Sequence, residues 1–594
     1  MQNRLFNSSY LAIVISIIII IVFPLNMKGL EHLISWDTFG QYTYLPLFFI
    51  EKNFQVPLSY FAEIQAVYPV SSTLYQFNSS GEIAATKYTL GLALLSAPFF
   101  LVGHLFAYLL DYPMDGYSTP YAVAFLVSCL FYTVVAVLAF QRMLKYFFND
   151  KTVAWLLIFV LFGTNFFTNA IFDPAYTHTF AFAFLSLLIL TTLNFHRNPT
   201  VKNGIFLGAT LAILGLIRLP DLLFGLIPVF WNIKQYGSFW KKIRFFLVEK
   251  WKPTLFVVLS FLALMSLQFL FWKEVSGEYI MNSYANNPGE GFDWLAPYTH
   301  KFLFHFKKGW FIYTPMAIIG MLGFIKMWKK GRNEKIMVIS FLIFLYVASS
   351  WTTWWYAGSF SQRAMIDIYP LMAIALGTLL SIKKIRKGLL ITLGILTVFN
   401  QFQAWQYNNR ILSREQMTKA YYFSTFGQIK PPTAEQKALL ELSPGDFKDF
   451  SFQKIDIKLI KNWQIKLEDA FLNKDNIYTQ NIQVQLDDVY QPQRLYLLQA
   501  EWHYAPSTFE GVDGLIPNFS TIYKNQHYNW RGLDSNSPLL ELDTVHHNFK
   551  AYYFLPNLRT KKDEIKVQVW RNGERNIDLE KVEIRIFEVL GNKE

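Results

Sequence analysis

Long apolar runs separated by short polar loops fill the first two-thirds of the chain, and then the period changes. The runs fall near residues 10–25, 89–110, 118–140, 152–171, 177–195, 203–217, 219–232, 254–272, 310–328, 335–350, 365–382 and 388–404. Runs of this length and purity predict membrane helices. After about residue 405 they stop, and apolar residues recur at every second position: Ile482, Val484, Leu486; Ile565, Val567, Val569; Val582, Ile584, Ile586. That period belongs to half-buried strands, and Asn572-Gly573 is a hairpin signal between two of them. The pattern predicts an α-helical polytopic membrane domain over residues 1–404, a linker or docking helix over 405–429, and an all-β, sandwich-like domain over 430–594.

The loops set the sidedness. Cations group at Arg142, Lys145 and Lys151, at Arg197 and Lys202, and then within 234–252, 326–335 and 383–387, with two runs between successive groups. An excess of Lys and Arg marks cytoplasmic loops, so these five share the cytoplasm. With Arg4 on that side, residues 26–117 lie wholly outside, and 89–110 is an interfacial or re-entrant helix rather than a span. Eleven spans follow, with the N-terminus inside and the β domain extracytoplasmic, which in a bacterial inner membrane is periplasmic. Residues 1–25 show no small-x-small cleavage site and read as an uncleaved first span.

Composition agrees: 53% of residues are hydrophobic and 16% charged, against about 25% charged in soluble proteins. The net charge of +12 sits largely in the loops, so membrane lipids and not nucleic acid are the expected partners. A single cysteine, Cys129, excludes a disulfide framework.

Four outer segments carry the candidate chemistry. Asp37 lies in the first loop, Asp173 and His178 in the turn between two runs, Arg218 at a break in a long apolar stretch, and Arg363 after Trp354-Trp355-Tyr356. Ionisable groups beside lipid are costly and face water or a polar cavity. A reaction that fits needs an anionic, lipid-linked substrate. Lys87, Arg218 and Arg363 are suited to hold a phosphate through charge-assisted hydrogen bonds. Asp37 is suited to deprotonate an acceptor hydroxyl, and Asp173 is a further acidic residue on the same face. Trp36, Tyr42, His178, Trp354, Trp355 and Tyr356 are candidates to contact a sugar face or a prenyl chain. Each has a plainer alternative. Asp37 caps a short helix, Asp173-Pro174 forms a turn, Arg218 pairs with Asp221 at a helix break, the aromatics form an interfacial belt, and Lys307 and Lys308 anchor near headgroups. Asp173 and His178 without a third ligand do not make a metal site, and divalent-metal dependence stays open. There is no phosphate-binding glycine loop, zinc-ligand spacing or nucleophile elbow, which leaves a lipid-phosphate donor by elimination.

An outer loop opening with Asp37, Lys87 before an apolar helix ending in Gly103, a second acid at Asp173 and many spans together resemble the GT-C glycosyltransferases. The resemblance covers roughly residues 10–404 and is nearest to the glycosyltransferase 39 group of protein O-mannosyltransferases and aminoarabinose-transferase-like enzymes. It implies inverting transfer from a polyprenyl-phosphate sugar to a lipid, glycan or protein acceptor on the outer face. By position, Asp37 is the general base or acceptor-orienting group, Asp173 the second acid, and Lys87 a donor-phosphate contact. Thr38 stands where the paired-acid motif has a second acid, and Tyr88-Thr89 follow Lys87 in place of prolines. Trp354-Trp355-Tyr356-Ala357-Gly358 is similar to the oligosaccharyltransferase signature without its aspartate, so sequon-directed N-glycosylation is not expected. A second class, a transporter or flippase of a lipid-linked glycan, also needs charges and aromatics, but the chain lacks the internal repeats common in transporters. A non-catalytic envelope scaffold ranks last.

Overall fold

The computed structural model describes the whole chain except residues 1–6, 27–28, 72–73, 81–82, 285–289, 448–450, 468–470, 475, 493, 506–514, 524–525, 534–536, 557, 559, 572–575 and 593–594. Two compact units emerge. One comprises Met1–Asn287, Gly291–Glu415 and Gly427–Pro431, and the other Pro288–Glu290, Gln416–Phe426 and Pro432–Glu594.

In the first unit, six helices among the described residues are long and apolar enough to cross a membrane: Gly91–Leu109, Thr119–Lys145, His178–Arg197, Trp251–Ser276, Asn333–Ser350 and Lys383–Asn408. The pair Asp150–Phe162 and Phe166–Phe172, bent by 58°, makes a seventh if it is one span. Shorter apolar helices cover Ser8–Ile19, Val201–Ile217, Met316–Trp328 and Tyr369–Leu380. By length and composition the structure therefore supports six or seven crossings, fewer than the eleven expected. The stretch 219–232 departs most clearly. It is a 3-10 turn, Leu219–Gly225, followed by the five-residue helix Leu226–Phe230. Pro220 lies in the first turn, where proline is tolerated, but Pro228 inside the second piece removes a backbone donor from the helical ladder that a span requires. The run 89–110, expected to lie at the interface, forms the 19-residue helix Gly91–Leu109, long and apolar enough to cross.

Helix Tyr369–Leu380 is buried along its whole length and forms part of the core of this unit. Val201–Ile217 packs on Trp251–Ser276 through Gly204 and Gly208, whose missing Cβ atoms would lie 2.4 Å from the Pro253 carbonyl oxygen and 2.1 Å from that of Val257. Small residues four apart let two helix backbones approach closely. Outside the helices, Phe77–Ser80 pairs antiparallel with Ile83–Thr86, with Phe77 opposite Thr86. This hairpin docks through Phe77, whose ring stacks 3.6 Å from Phe61 and meets Phe39 edge-on at 5.3 Å.

The second unit holds two antiparallel sheets. The larger runs in spatial order Ile455–Lys466, Ile577–Asn592, Tyr496–Tyr504, Asn548–Phe554 and Leu540–Asp543, with Phe471–Leu472 added beside Ile577–Asn592. The smaller runs Ile482–Gln485, Glu564–Arg571, Leu515–Tyr523 and Gln526–Gly532. Their inner faces share one core, in which Phe519 of the smaller sheet stacks 5.1 Å from Tyr553 of the larger. This is a sandwich, and all three alternating segments read from the sequence are strands in it. The Asn572-Gly573 turn lies outside the described residues. The strands flanking it enter different sheets, so they do not pair as a hairpin. In the stretch 405–429, the last long helix continues to Asn408. Residues 416–426 pack with the β unit, where Thr418 Oγ1 donates to Leu439 O at 2.6 Å and Gln436 Nε2 to Ser424 O at 2.7 Å.

Candidate active site

The hairpin positions the first acid. The Lys87 N–H donates to Gln76 O at 3.0 Å, extending the ladder beyond Phe77 and Thr86, so Tyr75 and Tyr88 emerge side by side. Both hydroxyls donate to Asp37 Oδ1, at 2.6 and 2.7 Å. Asp37 opens the short helix Asp37–Tyr42 behind Trp36, whose φ of 54° lies in the left-handed region. Trp36 is held there by its N–H to Val70 O at 2.7 Å and by Gln76 Nε2 to its carbonyl at 3.1 Å. Such strain persists only where the surroundings over-determine it, and it gathers at functional sites. Gly40 lets the hairpin close on this helix, since a Cβ there would stand 2.8 Å from Tyr88 Cδ2 and 2.9 Å from Gln76 Cβ.

The other carboxylate oxygen meets Arg363. Nη2 lies 2.6 Å from Asp37 Oδ2, across 326 residues of sequence. The guanidinium carbon sits 4.4 Å above the Tyr176 ring. Arg363 Nε is buried with no hydrogen-bond partner among the described residues. The preceding loop is anchored by Asn165 Nδ2 to the carbonyls of Phe360 and Gln362 at 3.1 and 3.2 Å. Tyr356, Ala357 and Ser361 all have positive φ, between 51° and 58°. Burial alone would raise the Asp37 carboxyl, but the Arg363 charge and the two phenols outweigh it and hold it well below the usual carboxylate range. The side chain is still 22% exposed, so an anion so stabilised remains open to a ligand. Tyr75 and Tyr88 are correspondingly held as phenols by burial and by the Asp37 charge.

Lys87 is buried in a cage of rings, with Nζ 4.5 Å from the centroid of Tyr75, 5.6 Å from Tyr88 and 5.5 Å from Tyr284. Thus Asp37 and Lys87 share Tyr75 and Tyr88, and Arg363 joins them through Asp37. Arg218 and His178 form a neighbouring group around Asp367. His178 Nδ1 lies 2.8 Å from Asp367 Oδ1, Arg218 Nη1 lies 2.9 and 3.0 Å from the two ring nitrogens, and Arg218 Nε lies 3.4 Å from Asp367 Oδ2. The arrangement that satisfies both partners has Nδ1 donating to Asp367 and Nε2 accepting from Arg218. The pairing of Arg218 with Asp221 is therefore not what forms. Asp221 is fully buried, and neither of its oxygens has a hydrogen-bond partner among the described residues.

Asp173 is partly exposed, at the C-terminal end of Phe166–Phe172. Burial raises its carboxyl against the opposing charges of Arg414, Arg363 and Lys308. Asp37 and Asp173 are thus pushed in opposite directions. Lys308 is not a headgroup anchor. It is buried, its Nζ donates to Ser359 O, it lies 5.8 Å from the Tyr407 ring, and burial brings its ammonium down to about 7.

The expected aromatic contacts divide. Trp36 is 49% exposed and 6.4 Å from the Tyr75 ring, at the rim of the site. Tyr42 instead belongs to the core, 1% exposed, with its hydroxyl on Gly116 O at 2.8 Å. It falls five residues after Asp37, on the packed side of the short helix. Trp354 is also buried, against His305 at 5.2 Å. Trp355 carries Lys307 Nζ at 4.8 Å from its ring, and Tyr356 donates to Ala348 O at 3.0 Å. Among the described residues, no three His, Cys, Asp or Glu side chains are grouped to hold a metal. Sequence reasoning missed Tyr75, Tyr88, Asp367 and Arg414. Only Asp367, an acid inside an apolar run, left a signal there.

The arrangement defines a class, a polytopic helical protein with a clasped carboxylate–guanidinium site and an appended β-sandwich. No family model matches the chain, and no curated protein matches it in sequence. Among solved structures it is similar to the arabinosyltransferase EmbB from Mycobacterium smegmatis, at 11% identity and a TM-score of 0.25, over 79% of this chain and 57% of that one. The chain thus spans little more than half the length of that protein.

Proposed function

We propose that the chain is a membrane glycosyltransferase of the GT-C type, moving a sugar from a polyprenyl-phosphate donor to an acceptor hydroxyl on the outer face of the cell membrane. The order and sidedness of Asp37, Lys87 and Asp173 favour the glycosyltransferase 39 group within that type. The observation that carries the reading is the Asp37–Arg363 contact at 2.6 Å, partly open to solvent. At rest the guanidinium neutralises the carboxylate. A donor phosphate competes for the same guanidinium, which is a bidentate phosphate ligand by geometry. As Arg363 turns to the phosphate, Asp37 loses its counter-ion and becomes more basic. It then takes the proton of the acceptor hydroxyl. The hydroxyl oxygen bonds to the anomeric carbon, the bond from that carbon to the phosphate oxygen breaks, and polyprenyl phosphate leaves. Tyr75 and Tyr88 keep Asp37 aimed throughout. Lys87 and Arg218 supply positive potential for the donor, and Asp173 is the second acid.

The test incubates membranes carrying wild type or Asp37→Asn with radiolabelled polyprenyl-phosphate sugars. Label leaving the lipid in wild type alone supports both the transferase and its base. Full turnover by Asp37→Asn removes Asp37 from that role. Intact labelled donor appearing across the bilayer, with no transfer, makes the protein a transporter.

A further inference from the structure

The outer face of the smaller sheet in the β unit carries a cavity of about 500 Å³ that the proposed transferase site does not use. It is built by strand alternation. Along Glu564–Arg571, residues Ile565, Val567 and Val569 point into the sandwich core, so Lys566, Gln568 and Trp570 point out. On the next strand Asn518 stands opposite Gln568, and Ser520 opposite Lys566, placing their side chains on the same face. On the other side Tyr478 bridges to Trp570. The Tyr478 and Trp570 rings lie near-parallel, 19° apart with centroids at 6.2 Å, and Tyr478 is 46% exposed. Beside this two-ring floor, Asn518 is only 9% exposed, and its Oδ1 has no hydrogen-bond partner among the described residues. A buried amide oxygen left unpaired costs free energy unless a ligand or water completes it.

We infer that this cavity binds a carbohydrate chain. Its lining combines aromatic faces, the amides of Asn481, Asn518 and Gln568, a serine hydroxyl and the Lys566 amine, and among the described residues it includes no carboxylate. Rings suit the C–H faces of a pyranose or furanose. Amides both donate to and accept from hydroxyls, and the orphan Asn518 oxygen is an acceptor waiting for one. An apolar floor with a few convergent polar groups is the usual make-up of a small-ligand site, and the volume fits one or two sugar units. The other occupants fit less well. A peptide strand adds to a sheet edge, whereas this is a sheet face. A nucleic acid needs several cations, and the described lining residues offer one. A metal needs anionic or imidazole ligands, and the described lining residues supply neither.

The test uses the full-length chain in a detergent without a sugar headgroup. A mannan, an arabinan, a galactan and a dextran are each titrated while tryptophan fluorescence and affinity-gel retardation are read. At least one of the four is expected to bind the wild type, and Tyr478→Ala and Trp570→Ala to weaken it about tenfold or more, the scale of losing an aromatic contact face. Trp570→Phe is expected to retain most of the binding. If Trp570→Ala fails to fold, the exposed Tyr478→Ala decides. No binding of any of the four by wild type, or unchanged binding by Tyr478→Ala, overturns the inference. The readout is binding and not turnover, so failure of the transferase assay leaves it standing.

Discussion

Asp37, the proposed base, is unusual at rest, because three donors favour its anion. Its carboxyl is held well below the ordinary range by Arg363 and the two phenols. The acid limb of kcat/KM, which reports the free enzyme, should therefore not come from Asp37 in wild type. Arg363→Gln removes the strongest opposing charge and leaves burial dominant, so the Asp37 carboxyl moves up. An acid limb is then expected to enter kcat/KM, with activity falling as pH drops, and a flat profile in Arg363→Gln would count against the pairing as the control of basicity. Lys308 gives the opposite sign. Burial brings its ammonium to about 7, so positive charge beside Asp173 is lost as pH rises through that value. If that charge helps hold the donor phosphate, KM for the donor rises above about pH 7, and Lys308→Arg, charged throughout, removes the rise. Asp37, Arg363 and Arg218 were legible as residues because a charge stands out in an apolar sequence. Their partners were not. Tyr75 and Tyr88 are ordinary loop tyrosines until a hairpin puts them opposite each other, and nothing local distinguishes them.

Elements depend on close approaches that the apolar pattern does not encode. The hairpin over Phe77–Thr86 closes on the Asp37 helix only because Gly40 has no side chain, with Tyr88 Cδ2 2.8 Å from where a Cβ would stand. Gly40→Ala must displace Tyr88, a direct ligand of Asp37. Overpacking of this kind typically costs about 1–3 kcal/mol, and misplacing a catalytic group by about 1 Å can cost about 10²-fold in rate. The expected result is a folded protein with kcat reduced about tenfold or more, measured alongside its thermal unfolding in detergent. Tyr88→Phe should lower activity without the stability loss, which separates the lost hydrogen bond from the clash. Periodicity did locate the strands around Ile482, Ile565 and Val582, because alternation reports which face is buried. It could not say which strands pair: the segments on either side of Asn572-Gly573 join different sheets, so a turn signal was read as a hairpin where the chain changes layer. Likewise 219–232 is apolar enough for a span, but it forms a 3-10 turn and a five-residue helix that meet at Gly225 and Leu226.

At the scale of the whole molecule, composition and loop charge are better guides than run length. Apolar content marks a polytopic chain, and the helices that form are of uneven length, from the 27 residues of Thr119–Lys145 to the 12 of Tyr369–Leu380. Run length alone does not fix the number of spans, since a short helix wholly inside a bundle is as apolar as one facing lipid. Sidedness rests on a separate property, the repeated basic loops, and it can be tested without knowing the count. Cys129 is the single cysteine in the chain and is buried, so Cys129→Ser gives a background free of thiols with little change in volume. On that background Glu63→Cys in the first outer loop and Lys458→Cys in the β unit replace exposed side chains, as do Lys329→Cys and Lys384→Cys in the basic loops. Intact cells treated with a membrane-impermeant maleimide should label the first two positions and spare the second two, and permeabilised cells should label all four. Labelling of Glu63→Cys together with Lys329→Cys in intact cells would put the proposed base and the basic loops on one side. Asp37 would then still face outward, but the basic loops would lie outside with it, against the positive-inside bias, and the sidedness inferred from charge would fail. The charge pattern favours the other outcome, because all five basic groups then lie on the side opposite the first loop without any loop having to violate the bias.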